Sequence, residues 1–226
     1  MTGAPGMAEI ALPPEPSSAR LVGTLTFAGL LAGLLLATVY AVTLPTIEAN
    51  AREALRLAVF EVVPGTTAMQ KLVLQGGGFV LADGSEAKDA VAVYAAYADG
   101  GRFLGYAIPA AGPGFQDTIR LLYGYDPERR LVVGMRVLDS RETPGLGDKI
   151  VKNDDFVAEF DALGVDPEIL VVKNGTGSAP NHVDGITGAT ISSKAVVRIL
   201  NLRNTELIAK LPTGAAVPPA PTEAGR

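Results

Sequence analysis

The chain has no cysteine, no tryptophan and a single histidine among its 226 residues. Without cysteine it forms no disulfide, no thiolate zinc site and no cysteine-ligated iron–sulfur cluster. One histidine, His182, rules out a multi-histidine metal centre or a bis-histidine haem within this chain, and nothing in its surroundings supports a triad. No metal site is expected. Basic residues are also few: 19 Lys and Arg against 24 Asp and Glu give a formal net charge of −5. With no long basic run, nucleic acid is not an expected partner. No Gly-x-Gly-x-x-Gly follows a strand, so a dinucleotide site of the Rossmann kind has no support. The lack of cysteine is compatible with an extracytoplasmic domain without requiring one.

One long apolar run stands out. Residues 1–19 are rich in Pro, Ala and Ser and read as a disordered tail. Leu21 to Leu44 then passes without a charge. At about 1.5 Å per residue that run spans a bilayer core of about 30 Å, so residues 20–45 are expected to form one transmembrane helix. The run is too long for a signal-peptide core, only Arg20 precedes it, and Ala37 to Ala41 lacks an A-x-A cleavage pattern, so the anchor is read as retained. Arg52 and Arg56 after the span, against Arg20 before it, lean toward a cytoplasmic main domain. Gly29 and Gly33 form a small-xxx-small pattern, which lets a second helix approach closely and equally is ordinary glycine usage in a membrane helix.

The remainder predicts an α+β domain over 46–211, an antiparallel sheet with packed helices. After a break at Pro45, a helix is expected from Thr46 to Val63, with Ile47, Ala51, Leu55, Ala58 and Val62 on one stripe. Strands are expected at Lys71–Leu74, Val91–Tyr97, Arg102–Ile108, Thr118–Tyr123 and Leu131–Leu138. Asp99-Gly100 and Asp126-Pro127-Glu128 supply the hairpin turns of a meander. A short helix over Phe156–Leu163 after an Asn153-Asp154 start, a strand at Ile169–Val172 and a helix from Thr190 to about Leu211 follow. Residues 212–226, with four prolines, read as a second disordered tail.

Two loops carry the chemistry. The first, Glu142-Thr143-Pro144-Gly145-Leu146-Gly147, is either a surface turn or a ligand clamp whose glycines admit close approach. The second runs from Asp184 to Lys194 and opens into the apolar run Ala195–Leu200. It reads as a loop ending at a helix N-terminus. Such an end is either a helix start capped by Ser or Thr, or an anion site where free N–H groups and the helix dipole suit a phosphate. Among the aromatics, Tyr106, Phe115 and Tyr123 are core by default, with stacking on a flat ligand as the other option. Lys194 either approaches the phosphate or is solvated.

Taken together, the two loops resemble those of the FMN-binding domain found in the G subunit of the Rnf electron-transport complex. They also resemble those of its relative, the C subunit of the sodium-translocating NADH:quinone reductase. That family's flavinylation motif, Asp-x-x-(Ser/Thr)-Gly-Ala-Thr-x-(Ser/Thr), is filled at every defined position by Asp184, Thr187, Gly188, Ala189, Thr190 and Ser192. Its Glu-Thr-Pro-Gly-Leu-Gly motif is intact at Glu142–Gly147, and the following Asp148-Lys149-Ile150 is more like the Rnf version. The resemblance covers about residues 20–210. It implies one covalent FMN, its phosphate esterified to Thr190 Oγ by a separate flavin transferase. Asp184, Thr187, Gly188, Ala189, Ser192 and Ser193 would form the receiving stretch, with the two serines as hydroxyl donors. Thr143, Pro144, Gly145 and Leu146 would pack on the ring. The implied function is electron relay, without catalytic residues of its own, in an inner-membrane complex of several membrane and peripheral subunits. That complex couples ferredoxin–NAD electron transfer to ion movement, and the domain would lie on the extracytoplasmic side, against the local charge count. The FMN-carrying member of the quinone reductase, and a membrane-anchored interaction domain without cofactor, are the alternatives.

Overall fold

The computed structural model describes residues 17–87, 89–173 and 175–221. Most of the N-terminal tail expectation (1–16) and the last five residues (222–226) lie outside the described residues. The first element is a helix of 45 residues, α1 (Ser18–Val62), which runs without interruption through Pro45. The break expected there is absent. A proline removes one N–H and crowds the carbonyl four residues back, at a cost of about 3 kcal/mol, and the helical turns on both sides continue through it. Its apolar section is long enough to cross a membrane. Two threonines inside it satisfy their own hydroxyls: Thr38 Oγ1 donates to the Leu34 carbonyl at 2.8 Å and Thr43 Oγ1 to that of Val39 at 2.8 Å. Such back-bonding is how a polar side chain is accommodated in an apolar helix.

By chain contacts the molecule divides into residues 1–51 and 52–226. The second unit is built on a seven-stranded sheet. Its strands are β1 (Ala68–Gln75), β2 (Gly78–Leu81), β3 (Ala92–Tyr97), β4 (Phe103–Pro113), β5 (Thr118–Asp126), β6 (Leu131–Asp139) and β7 (Leu163–Gly164). Every neighbouring pair is antiparallel, in the order β2-β1-β3-β4-β5-β6-β7. The meander therefore begins only at β3: β2 folds back over Gly76-Gly77 onto the outer edge of β1. The Asp126 turn forms as its residues dictate, with Asp126 Oδ1 accepting from the N–H groups of Glu128 and Arg129 at 2.9 and 3.0 Å.

Strand alternation sends side chains to two cores. Ile119, Leu121, Tyr123 and Tyr125 of β5 join one cluster, with Tyr106 and Ile108 of β4, and Leu122 joins the other. The larger cluster is covered by α4 (Thr190–Leu207), whose Ala195, Val196, Ile199 and Leu200 face inward while Ile191, Lys194, Arg198 and Leu202 face out. The smaller one is covered by the last two turns of α1, through Ala58, Val59 and Val62. Ile47 and Ala51 are exposed, so only the end of the expected stripe is buried.

Two further expectations are corrected. The helix expected over Phe156–Leu163 is replaced by α2 (Lys149–Lys152) and α3 (Asp154–Ala158), and Leu163 belongs to β7. Asn153 caps α3 where the start was expected, its Oδ1 accepting from the Phe156 N–H at 2.9 Å, and the difference lies at the C-terminal end, where the helix stops at Ala158. Residues 212–221 are ordered rather than a tail. The Tyr106 hydroxyl donates to the Pro212 carbonyl at 2.5 Å and the Tyr97 hydroxyl to that of Pro218 at 2.7 Å. Buried phenols need acceptors, and prolines offer carbonyls in an extended chain.

Candidate functional site

Three segments converge at the start of α4. The β4–β5 loop brings Phe115 and Gln116. The turn after β6 brings Thr143, Leu146 and Gly147. The loop after β9 (His182–Gly185), which pairs in parallel with β8 (Leu170–Lys173), brings Gly188 to Ser192. They enclose a mainly apolar pocket of about 340 Å³, within the range of about 300–1,000 Å³ common for small-molecule sites. Thr190 and Gly188 also line a second hollow of about 390 Å³, bordered by Val171, Val172 and Lys173 of β8, by Thr187 and by Lys194.

Thr190 is the first residue of α4 and is exposed. Its hydroxyl makes only a long contact, 3.5 Å to the Ile186 carbonyl, and so is free to react. The residue before the helix is Ala189, so the reading of a Ser- or Thr-capped start does not hold: no side chain caps α4. The N–H groups at its first turn therefore stay available, which is the condition for an anion site at a helix start. Gly188 has φ +83°, a left-handed conformation that residues with a side chain adopt at a cost. A Cβ there would lie 3.5 Å from Lys149 Nζ, ordinary contact. Gly188 is thus required for backbone conformation rather than for room. Lys149, which the sequence did not single out, reaches the Thr187 carbonyl at 3.4 Å.

The two serines have other work. Ser193 Oγ donates to the Ala189 carbonyl at 3.0 Å and accepts from the Ile186 N–H at 3.1 Å, bridging the loop to the helix. Ser192 Oγ donates to Glu142 Oε2 at 2.5 Å. Both are buried, with the Ser193 hydroxyl engaged by the backbone and the Ser192 hydroxyl by the Glu142 side chain. Asp184 sits on β9. Its carboxylate accepts from the N–H groups of Gly175 and Gly177 at 2.8 and 2.9 Å, which shapes the turn after β8, and its own N–H donates to Glu159 Oε2. Burial, together with the charge of Asp184, pushes the Glu159 carboxyl above its ordinary range.

Of the second motif, Thr143 and Leu146 line the pocket. Thr143 Oγ1 donates to Gln116 Oε1 at 2.7 Å, and its carbonyl accepts from the Leu146 N–H at 3.1 Å. Pro144 and Gly145 lie within that turn and present Leu146 without lining the pocket. Leu146 is 52% exposed, Phe115 64% and Ile191 58%, an apolar rim that the described residues leave uncovered. Phe115 is thereby set apart from Tyr106 and Tyr123, which are fully buried. His182 lies on β9, its Nδ1 accepting from the Ser178 N–H at 3.4 Å, away from the pocket lining. Ile191 and Gln116 were not singled out in the sequence. Ile191 alone left a trace, as an apolar residue off the inward stripe of its helix.

The FMN-binding domain family matches residues 114–202, a span that contains all three pocket-forming segments. The chain is 34% identical over 138 residues to the G subunit of the ion-translocating oxidoreductase complex of Methanosarcina acetivorans, covering 59% of this chain and 70% of that protein. It is 35% identical over 106 residues to the G subunit of the Na⁺-translocating ferredoxin:NAD⁺ oxidoreductase complex of Acetobacterium woodii, covering 45% of this chain and 48% of that one. In fold it is similar to the crystal structure of the C subunit of the Na⁺-translocating NADH-quinone reductase of Parabacteroides distasonis. The TM-score is 0.57 at 22% identity, over 71% of this chain and 93% of that one.

Proposed function

Since the chain belongs to the family of the G subunits of ion-translocating oxidoreductase complexes, we propose that it carries one FMN bonded through its phosphate to Thr190. On this reading it relays electrons within a membrane complex. The observation that carries the attachment is the setting of Thr190: an exposed hydroxyl on the first residue of an uncapped helix, opening on an apolar pocket. These residues fit the group. A phosphodiester keeps one negative charge, which the free N–H groups and the helix dipole stabilise by about 0.3–1 kcal/mol. Leu146, Phe115 and Ile191 would give a flat ring apolar cover, and Thr143, hydrogen-bonded to Gln116, adds a polar group to the lining.

Attachment is a group transfer by a separate flavin transferase. Thr190 Oγ loses its proton and bonds to phosphorus, and the donor's leaving group departs with the electrons of the broken P–O bond. No electron reaches the protein. Bound FMN supplies reversible electron transfer. The chain's own residues hold it, keep water from one side of it and set its surroundings. The tether has a clear use on the extracytoplasmic side, where lost FMN would not be replaced from a cytoplasmic pool, and we place the domain there, anchored by α1. The donor and acceptor of the whole complex are taken as ferredoxin and NAD from the kinship with the G subunits. The quinone-reductase assignment draws on likeness of fold alone.

The test is a denaturing gel under ultraviolet light, using the full chain from cells that make the transferase. The band should fluoresce, Thr190→Ala should be dark, and Thr187→Ala should keep at least some fluorescence. A dark native band would overturn covalent attachment, and a fully fluorescent Thr190→Ala band would move the acceptor elsewhere.

A further inference from the structure

Glu142 is the least expected residue at the site. It is 5% exposed, and among the described residues no Lys, Arg or His stands within ion-pair distance of it. A buried carboxylate without a cation is costly unless hydrogen bonds replace its water. Three do so. Oε1 accepts from the backbone N–H groups of Phe115 and Gln116 at 2.9 and 3.0 Å, and Oε2 accepts from Ser192 Oγ. Burial alone would raise this carboxyl, but the donors outweigh it and hold it below the ordinary range, so the side chain is charged at neutral pH.

The donors come from two different segments, and Glu142 itself from the third. All three segments line the same pocket. The chain has also made room for the carboxylate. A Cβ on Gly147 would lie 2.6 Å from Oε2 and 2.8 Å from Ser192 Oγ, and one on Gly114 would overlap Oε1. Glycine on both sides lets the two loops close over the acid.

We propose that Glu142 is a positioning residue for the flavin pocket: its carboxylate clamps the Phe115 loop and the first turn of α4 to the Thr143–Leu146 turn, and keeps a fixed negative charge behind the pocket wall. The charge half rests on the flavin reading, whereas the clamp does not. A negative charge close to the ring disfavours adding electrons to it, so Glu142 lowers the reduction potential.

Two variants separate the halves. In Glu142→Gln the amide oxygen still accepts from Phe115 and Gln116, and Ser192 can turn to accept from the amide NH₂, so the clamp survives while the charge is lost. Redox titration of the flavin-loaded full chain should then give a more positive midpoint potential, with attachment retained. Glu142→Ala removes the clamp. In full chain from cells lacking the transferase, the Phe115 and Gln116 amides should exchange with solvent about tenfold faster or more. An unchanged potential in Glu142→Gln overturns the electrostatic role. Unchanged exchange in Glu142→Ala overturns the clamp. If the native chain takes up no flavin, it is the flavin reading that fails, and the exchange measurement still decides the clamp.

Discussion

On one face of the sheet the end of α1 comes down to backbone contact. On the other, α4 packs a buried apolar stripe closely on the sheet, with Ile199 against Gly112, and adds polar side-chain ties to the strands. Under α1 the contact residues are small and apolar: Ala96, Ala107 and Leu122 from the sheet, Ala58, Val59 and Val62 from the helix. Gly124 and Gly134 lie so close to Val62 that a Cβ on either would meet its carbonyl oxygen. Under α4, Tyr123 donates to Asn204 Oδ1 at 2.7 Å, Arg203 Nε to the Pro109 carbonyl at 3.0 Å, and Arg198 to the carbonyl of Pro113. The same helix begins at Thr190, beside the pocket. Both helices are held firmly, by different means. Under α1 the contact is small and apolar, whereas α4 adds polar ties to its apolar stripe and opens at its N-terminal end on the pocket.

The sharpest break in that comparison is chemical. Thr190→Ala should lose all covalent flavin and leave the thermal midpoint of the cofactor-free chain nearly unchanged, because the hydroxyl has only its 3.5 Å contact to lose. Gly124→Ala should do the reverse. The added methyl forces α1 off the sheet and gives up part of the burial of Val59 and Val62, for a loss of about 3 kcal/mol in chemical unfolding. Next in size is Gly147→Ala, where the methyl meets Glu142 and Ser192. About 1–3 kcal/mol is expected there, together with a fall in flavin loading that Gly124→Ala should show only in proportion to unfolded chain.

Acidification should weaken the hydrogen-bonded clamp at the start of α4. The Glu142 carboxyl lies below its ordinary range in the folded chain. Its stabilisation is therefore complete above the unfolded value of about 4.3 and is lost as pH falls through the folded value. Glu159 is raised and acts with the opposite sign, so its contribution grows on acidification. Unfolding midpoints measured from about pH 6 to about pH 3 should fall less steeply in Glu142→Gln than in the native chain. The smallest effect expected is Leu146→Ala. A side chain already 52% exposed should change stability by less than about 0.5 kcal/mol and act instead on flavin fluorescence.

Much of this was legible where a local rule decides the outcome. Asp126-Pro127-Glu128 turned where its side chain could accept the next N–H groups, and Asp99-Gly100 turned where glycine was needed. The helix from Thr190 appeared at its apolar period. What was not legible depended on partners distant in sequence. Pro45 suggested a break, but a single lost hydrogen bond does not end a long apolar helix. The prolines after residue 211 suggested disorder because composition does not show that Tyr97 and Tyr106 need their carbonyls. Ser192 and Ser193 looked like phosphate donors because their true acceptors, Glu142 and Ala189, emerge only when the loops meet. At the site, residue types suggested the chemistry, and folding redistributed the roles.

Covalent attachment of the flavin turns on Thr190. Protein purified from its native membrane and cleaved to peptides should yield the Thr190-containing peptide heavier by one FMN less one water. Fragmentation should place that mass on Thr190 itself. An unmodified peptide, or flavin carried by Thr187 or any other residue, would contradict it.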